Sequence, residues 1–173
     1  MENKVTSHIV KGLVISLILL VISLVAHFSD QSQSTWAKWT PNILLFAGII
    51  WACIIYSNQR NNNVTFGNVF AHGFKVSAVV AVFSIIFSVI FLLLMPEVKD
   101  KAIEVARQQM EEAGQMSSAQ IEQAMSLTDR LFYVFLIGGI LVLYLIIGCI
   151  AALIGAAIAK KNPHQPFETN SNV

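Results

Sequence analysis

The sequence predicts an all-α membrane protein: four transmembrane helices, with a short amphipathic helical hairpin between the third and the fourth. Two observations carry that reading. Hydrophobic residues make up 55% of the 173 and charged residues only 12%, whereas soluble domains carry roughly 25% charged. Four stretches, 12–29, 40–59, 76–96 and 131–159, contain no Asp, Glu, Lys or Arg, and a spanning helix needs about 20 mostly apolar residues. Surface-to-volume scaling limits what a soluble chain of this length can bury; lipid can cover the excess. The net charge of +1 creates no field favouring nucleic acid. A single integral membrane domain over residues 1–173 is expected.

The first span, about 9–29, includes Lys11, whose stem is expected to snorkel toward water. Lys4 and Lys11 before an apolar core also fit a secretory signal. A cut after Ala26, however, places Leu24 where a small residue is required, so a retained helix is expected. The second span, about 39–58, has the shortest apolar core, Ile43 to Tyr56. Trp36 and Trp39 stand before it where an interfacial aromatic belt belongs. Residues 58–68 read as a turn, because Asn and Gly tolerate left-handed backbone. Asn63-Val64-Thr65 fits a glycosylation sequon, but so short a pattern arises often by chance. The third span, about 74–96, ends at Pro96. The fourth, about 130–159, is overlong: its uncharged run makes roughly 43 Å at 1.5 Å per residue, against about 30 Å of hydrocarbon. It must tilt, project or bend, with Gly138-Gly139 as the place for a bend.

The loop at about 97–129 is acid-rich, with Glu97, Asp100, Glu104, Glu111, Glu112, Glu122 and Asp129. Val98, Ala102, Val105 or Ala106, Met110 and Ala113 recur at the period of an amphipathic helix. Gly114 supplies a stop. Ser117 and Gln120 have the form of a capping box for a second helix carrying Ile121, Ala124 and Met125 on one face. Thr128 or Asp129 is expected to cap the fourth span. The hairpin reads as a connector lying on the bundle end or lipid interface, or as a docking surface for a protein partner.

Four spans place both termini on one side. Lys4, Lys11, Arg60, Lys75, Lys160 and Lys161 flank the spans there, against Lys38, Lys99, Lys101, Arg107 and Arg130 opposite. The basic flank of the first helix and the Lys160-Lys161 pair place the termini in the cytoplasm.

Inside the spans the polar residues are small. Ser77, Ser84 and Ser88 share a face of the third helix and are the candidates for a polar face. Gly148, Ala152, Gly155, Ala156 and Ala159 form a small-residue ridge on the fourth, the kind through which membrane helices pack, within one bundle or between two copies. Cys53 and Cys149 read as small apolar packing residues. His8, His72 and His164 have no carboxylate or Cys at ligand spacing, and His27, alone at the outer end of the first span, reads as a solvated or capping residue. No Gly-x-Ser-x-Gly elbow, phosphate loop, His-Glu-x-x-His or paired-Cys motif occurs, so no catalytic residue, cofactor or metal site is expected.

Three stretches resemble a known family. They are Thr65-Phe66-Gly67-Asn68-Val69-Phe70, Met116 through Met125, and the Gly-Ala-rich last helix closing on Lys160-Lys161. Together they resemble a bacterial membrane-protein family described only as a domain of unknown function, number forty-one ninety-nine. Family members often show Gly before the Met-Ser of the second stretch; here Gln115 displaces Gly114. The resemblance implies a four-helix inner-membrane protein with a helical extracytoplasmic loop and brings no catalytic residues. The expectation is a non-enzymatic inner-membrane protein acting through protein or lipid partners or as a homo-oligomer. The alternative is a subunit of a small oligomeric transporter or channel, for which the serine face is the only polar path.

Overall fold

The computed structural model describes residues 5–32 and 34–161. They form six helices: α1 (His8–Phe28), α2 (Thr35–Gln59), α3 (Phe66–Leu94), α4 (Pro96–Ala113), α5 (Ser118–Arg130) and α6 (Phe132–Ile158). Four of them, α1, α2, α3 and α6, are long and apolar enough to cross a membrane. The chain is thus an all-α, multi-pass membrane protein with an α4–α5 hairpin between its third and fourth spanning helices.

Local chemistry sets the helix ends. Ser7 caps α1, its Oγ accepting from the Ile9 N–H at 3.1 Å. α2 starts at Thr35, ahead of the expected residue 39, and carries Pro41 inside its second turn. A proline there has no N–H to donate, and the neighbouring Asn42 Nδ2 donates to the Lys38 carbonyl at 2.9 Å. The turn after α2 uses left-handed Asn61 and Asn62, as the Asn-rich sequence implies. It is shorter than expected, because Thr65 Oγ1 accepts from the Asn68 N–H at 3.2 Å and Phe66 is already helical. α3 therefore begins well before residue 74.

The chain divides into two compact units, Met1–Val80 with Tyr144–Val173, and Ala81–Leu143. The first unit gathers α1, α2, the first half of α3 and the second half of α6. Leu45, Ile49, Cys53, Val69, Val76 and Val80 form its core with Ala151, Ala152 and Ala156. Leu17, Val25, Ile43, Trp51 and Ile150 point outward. Lipid tails are as apolar as these side chains, so helices here are held by close packing and hydrogen bonds rather than by hydrophobic expulsion.

In the second unit Pro96 opens α4 at its first turn, where its missing N–H costs nothing, and Gly114 ends that helix at φ +62°. Gln120 Oε1 accepts from the Ser117 N–H at 2.8 Å, the reach-back half of a capping box. Ile121 and Met125 are buried on α5 as its period requires. On α4 Val98, Ile103, Val105, Ala106 and Met110 are half-buried, while Ala102 and Ala113 are exposed. Neither Thr128 nor Asp129 caps α6. Both lie inside α5, where Thr128 Oγ1 donates back to the Ala124 carbonyl at 2.9 Å. Asp129 pairs with Lys99 at 2.7 Å. That hydrogen bond raises the Lys99 pKa above its ordinary value. Its stabilisation is therefore present below the ordinary lysine range and is lost as pH rises through the raised value. α6 stays helical through Gly138 and Gly139.

The left-handed stop between α4 and α5 gives a local prediction. A β-carbon in that conformation costs about 1 kcal/mol or more. Gly114→Ala should therefore speed amide hydrogen exchange in α4 and α5 while leaving the core of the first unit unchanged. Unaltered protection of the hairpin would refute this.

Candidate functional site

The sequence singles out a ridge and a serine face, and the first unit packs most of them inside. Gly148, Ala152, Gly155 and Ala156 are all buried, as is Ala159. A β-carbon on Gly148 would collide with the Ser77 side chain, and one on Gly155 would lie 2.8 Å from Cys53 Cβ. A β-carbon on Gly73 would strike Cys53 Sγ and come within 3.0 Å of Ala152. α2, α3 and α6 thus meet at near-backbone distance, and the ridge is occupied within this unit. Ser77 is fully buried, and its hydroxyl donates to the Tyr144 carbonyl at 2.8 Å. Ser84 and Ser88 are half-buried in the second unit. Cys53 is buried, while Cys149 is partly exposed.

The feature missed by sequence reading lies at one end of the first unit. Lys11 does not snorkel; it is 2% exposed. Its Nζ donates to the Ala52 carbonyl at 3.4 Å and lies 3.3 Å from His72 Nε2. An ammonium only donates, so Nε2 accepts and the His72 ring proton belongs on Nδ1. The His72 ring stacks on Tyr56 at 4.1 Å between centroids and meets His8 edge-on at 6.2 Å. Lys11 and Arg60 both stand over the Tyr56 ring, at 5.7 and 5.9 Å, within cation–π reach. Packing defeats snorkelling here because these acceptors and the ring lie on the inner side of α1, one turn from its start.

A cavity of about 370 Å³ opens beside this cluster, lined by His8, Arg60, His72 and Lys75 with Thr6, Ser7 and Asn68 among the others. Two hydrogen bonds between Thr6 and Gln59, at 3.0 and 2.8 Å, fasten the chain before α1 to the end of α2. Ser57 donates to the Lys160 carbonyl, and Lys161 lies over the Phe66 ring at 5.5 Å, so the end of α6 arrives at the same place. Among the described residues of this unit the sole carboxylate is Asp30, past the far end of α1; Glu2 and Glu168 lie outside the described residues, as does His164. No group of three His, Cys, Asp or Glu among the described residues could hold a metal ion.

A signal for this cluster exists in the sequence. His8 and Lys11, Tyr56 and Arg60, and His72 and Lys75 are spaced three or four apart, so each pair shares a helix face. All three pairs lie at the ends of spans that alternation brings to one side.

Two packing tests follow. Gly148→Ala should cost about 1–3 kcal/mol through overpacking, read by thermal unfolding in detergent, whereas Gly139→Ala, whose β-carbon would meet open space, should leave unfolding unchanged or slightly later. Lys11→Met should be at least as stable as the parent chain, because a buried charge is often replaced by an apolar side chain without loss. A clear drop in its unfolding temperature would show the ammonium to be a structural strut.

No curated protein and no solved structure is significantly similar to the chain. One family model matches it, over residues 11–161, a span that includes the buried lysine, the hairpin, the ridge and the part of the cavity wall from α2 and α3, but not Thr6, Ser7 and His8. The chain belongs to the family described as protein of unknown function, DUF4199.

Proposed function

We propose that this integral membrane protein is a non-enzymatic binding protein of the bacterial inner membrane, acting through protein or lipid partners. The observation that carries the reading is the closure of the serine face at Ser77. That hydroxyl is fully buried and spent on the Tyr144 carbonyl, with Gly148 packed against the same side chain. A solute path through the first unit would need polar groups open to water, and this unit spends its interior on helix contacts instead. The cations of its described residues are concentrated at the basic end, which suits recognition rather than passage.

The same end supports an orientation with both termini in the cytoplasm. Lys11, Arg60, Lys75, Lys160 and Lys161 gather there, whereas Lys38 is the sole Lys or Arg of the unit's described residues at the other end. Cytoplasmic flanks carry the excess of Lys and Arg.

Reconstitution tests the reading. Liposomes containing the protein should leak ions and small solutes no faster than empty ones, and crosslinking in cells should recover a stoichiometric protein or a retained lipid. Flux above the empty control that disappears in Ser77→Ala would instead establish the transporter alternative.

A further inference from the structure

We propose that the cavity at the basic end of the first unit binds a phosphate-bearing anion. The inference deepens the reading of the chain as a binding protein and rests on it. The geometry is that of an anion receptor with its ligand's charge unmatched. Arg60 and Lys75 are exposed at the rim, and His8 and His72 line the wall. Lys11 sits behind that wall at 3.3 Å from His72 Nε2. Lys11, Arg60 and Lys75 thus stand around a neutral imidazole, and like charges gathered at one place disfavour one another. With Asp30 alone as a described carboxylate in the unit, and past the far end of α1, nothing described nearby offsets them.

Phosphate suits the site better than a carboxylate does. Its oxygens accept from several directions at once, and the lining donors here come from the start of α1, the end of α2 and α3. The Arg60 guanidinium offers the planar fork that phosphate takes bidentately, while Lys75 adds a point charge. Ser7 contributes a neutral hydroxyl. The volume, about 370 Å³, falls at the small end of the roughly 300–1,000 Å³ range of ligand pockets, enough for a phosphate and the group it esterifies. The cavity also sits at helix termini, the level at which phospholipid headgroups lie, and basic pockets between spanning helices hold anionic headgroups. A lipid headgroup and a soluble phosphate compound share this chemistry.

The experiment separates the two sources. The full-length protein and the variant Arg60→Gln/Lys75→Gln are purified in neutral detergent. Both replaced side chains are exposed, so the core is left intact; Arg60→Gln alone serves if the pair fails to fold. Unfolding temperature is followed against inorganic phosphate at constant ionic strength. It is then compared in nanodiscs of phosphatidylcholine with and without phosphatidylglycerol. A specific ligand raises the unfolding temperature as its concentration passes the dissociation constant.

Protection of the parent by phosphatidylglycerol alone, weakened about tenfold or more in apparent affinity by the variant, assigns the site to a lipid headgroup. Protection by inorganic phosphate, weakened in the same way, assigns it to a soluble phosphate compound. Protection by neither probe overturns the proposal, and so does equal protection of parent and variant. Either negative result, with a crosslinked protein partner still recovered, would remove the anion site and leave the binding-protein reading intact. Recovery of no partner together with active flux would remove both.

Discussion

The structure depends on helices approaching to nearly backbone distance in a solvent that gives them no hydrophobic reason to do so. Lipid rewards a buried leucine no more than an exposed one, so the first unit must gain its cohesion from dispersion contacts and hydrogen bonds at short range. Gly148 against Ser77 and Gly73 and Gly155 against Cys53 supply the range. The Ser77 hydroxyl and the Tyr144 carbonyl supply the hydrogen bond, a type measured at about 0.6 kcal/mol on average in membrane bundles. Larger residues at Gly148 would push α3 and α6 apart, and larger ones at Gly73 or Gly155 would push α3 or α6 away from α2.

The same closeness creates the electrostatic problem at the end of the unit. Once α1, α2 and α3 converge, His8, Lys11, Arg60, His72 and Lys75 cannot spread apart as they would on separate helices. Tyr56 eases the crowding by placing its ring between a stacked imidazole and two cations. An aromatic face attracts cations but carries no charge to neutralise them. The second unit follows a different rule. Its hairpin sets Lys99 directly against Asp129 and under the Phe132 ring, so that lysine has a carboxylate at hand.

Much of the fold was legible because the membrane imposes simple constraints on length and hydropathy. The four uncharged runs, the proline after α3, the Gly114 stop and the Ser117–Gln120 pair each signal a local event, and each sits where its local rule puts it. The errors came where one local rule competed with another. Thr65 captured the start of α3 from the Asn-rich turn, and Thr128 bonded back into α5 instead of capping the next helix. Lys11 was the larger miss. Its position at the edge of an apolar run favours snorkelling by sequence alone, and only tertiary packing shows the acceptors on its other side. The ridge from Gly148 to Ala159 was visible as a pattern, yet its partner was not, since a stripe of small residues looks the same whether it meets its own bundle or another copy.

The position of Lys11 also bears on what the cavity can recognise. Its ammonium has donors and no acceptor, so contact with His72 fixes which imidazole nitrogen carries the lone pair. That nitrogen is Nε2, turned to the buried side at 3.3 Å. The remaining polar atom of His72 is then an N–H donor, on a residue that lines the cavity. A neutral histidine without this neighbour could offer either a donor or an acceptor and so serve cations or anions alike. With the lysine behind it, the ring can only donate, as do Arg60 and Lys75. A lysine that never touches the cavity can in this way restrict it to ligands that accept.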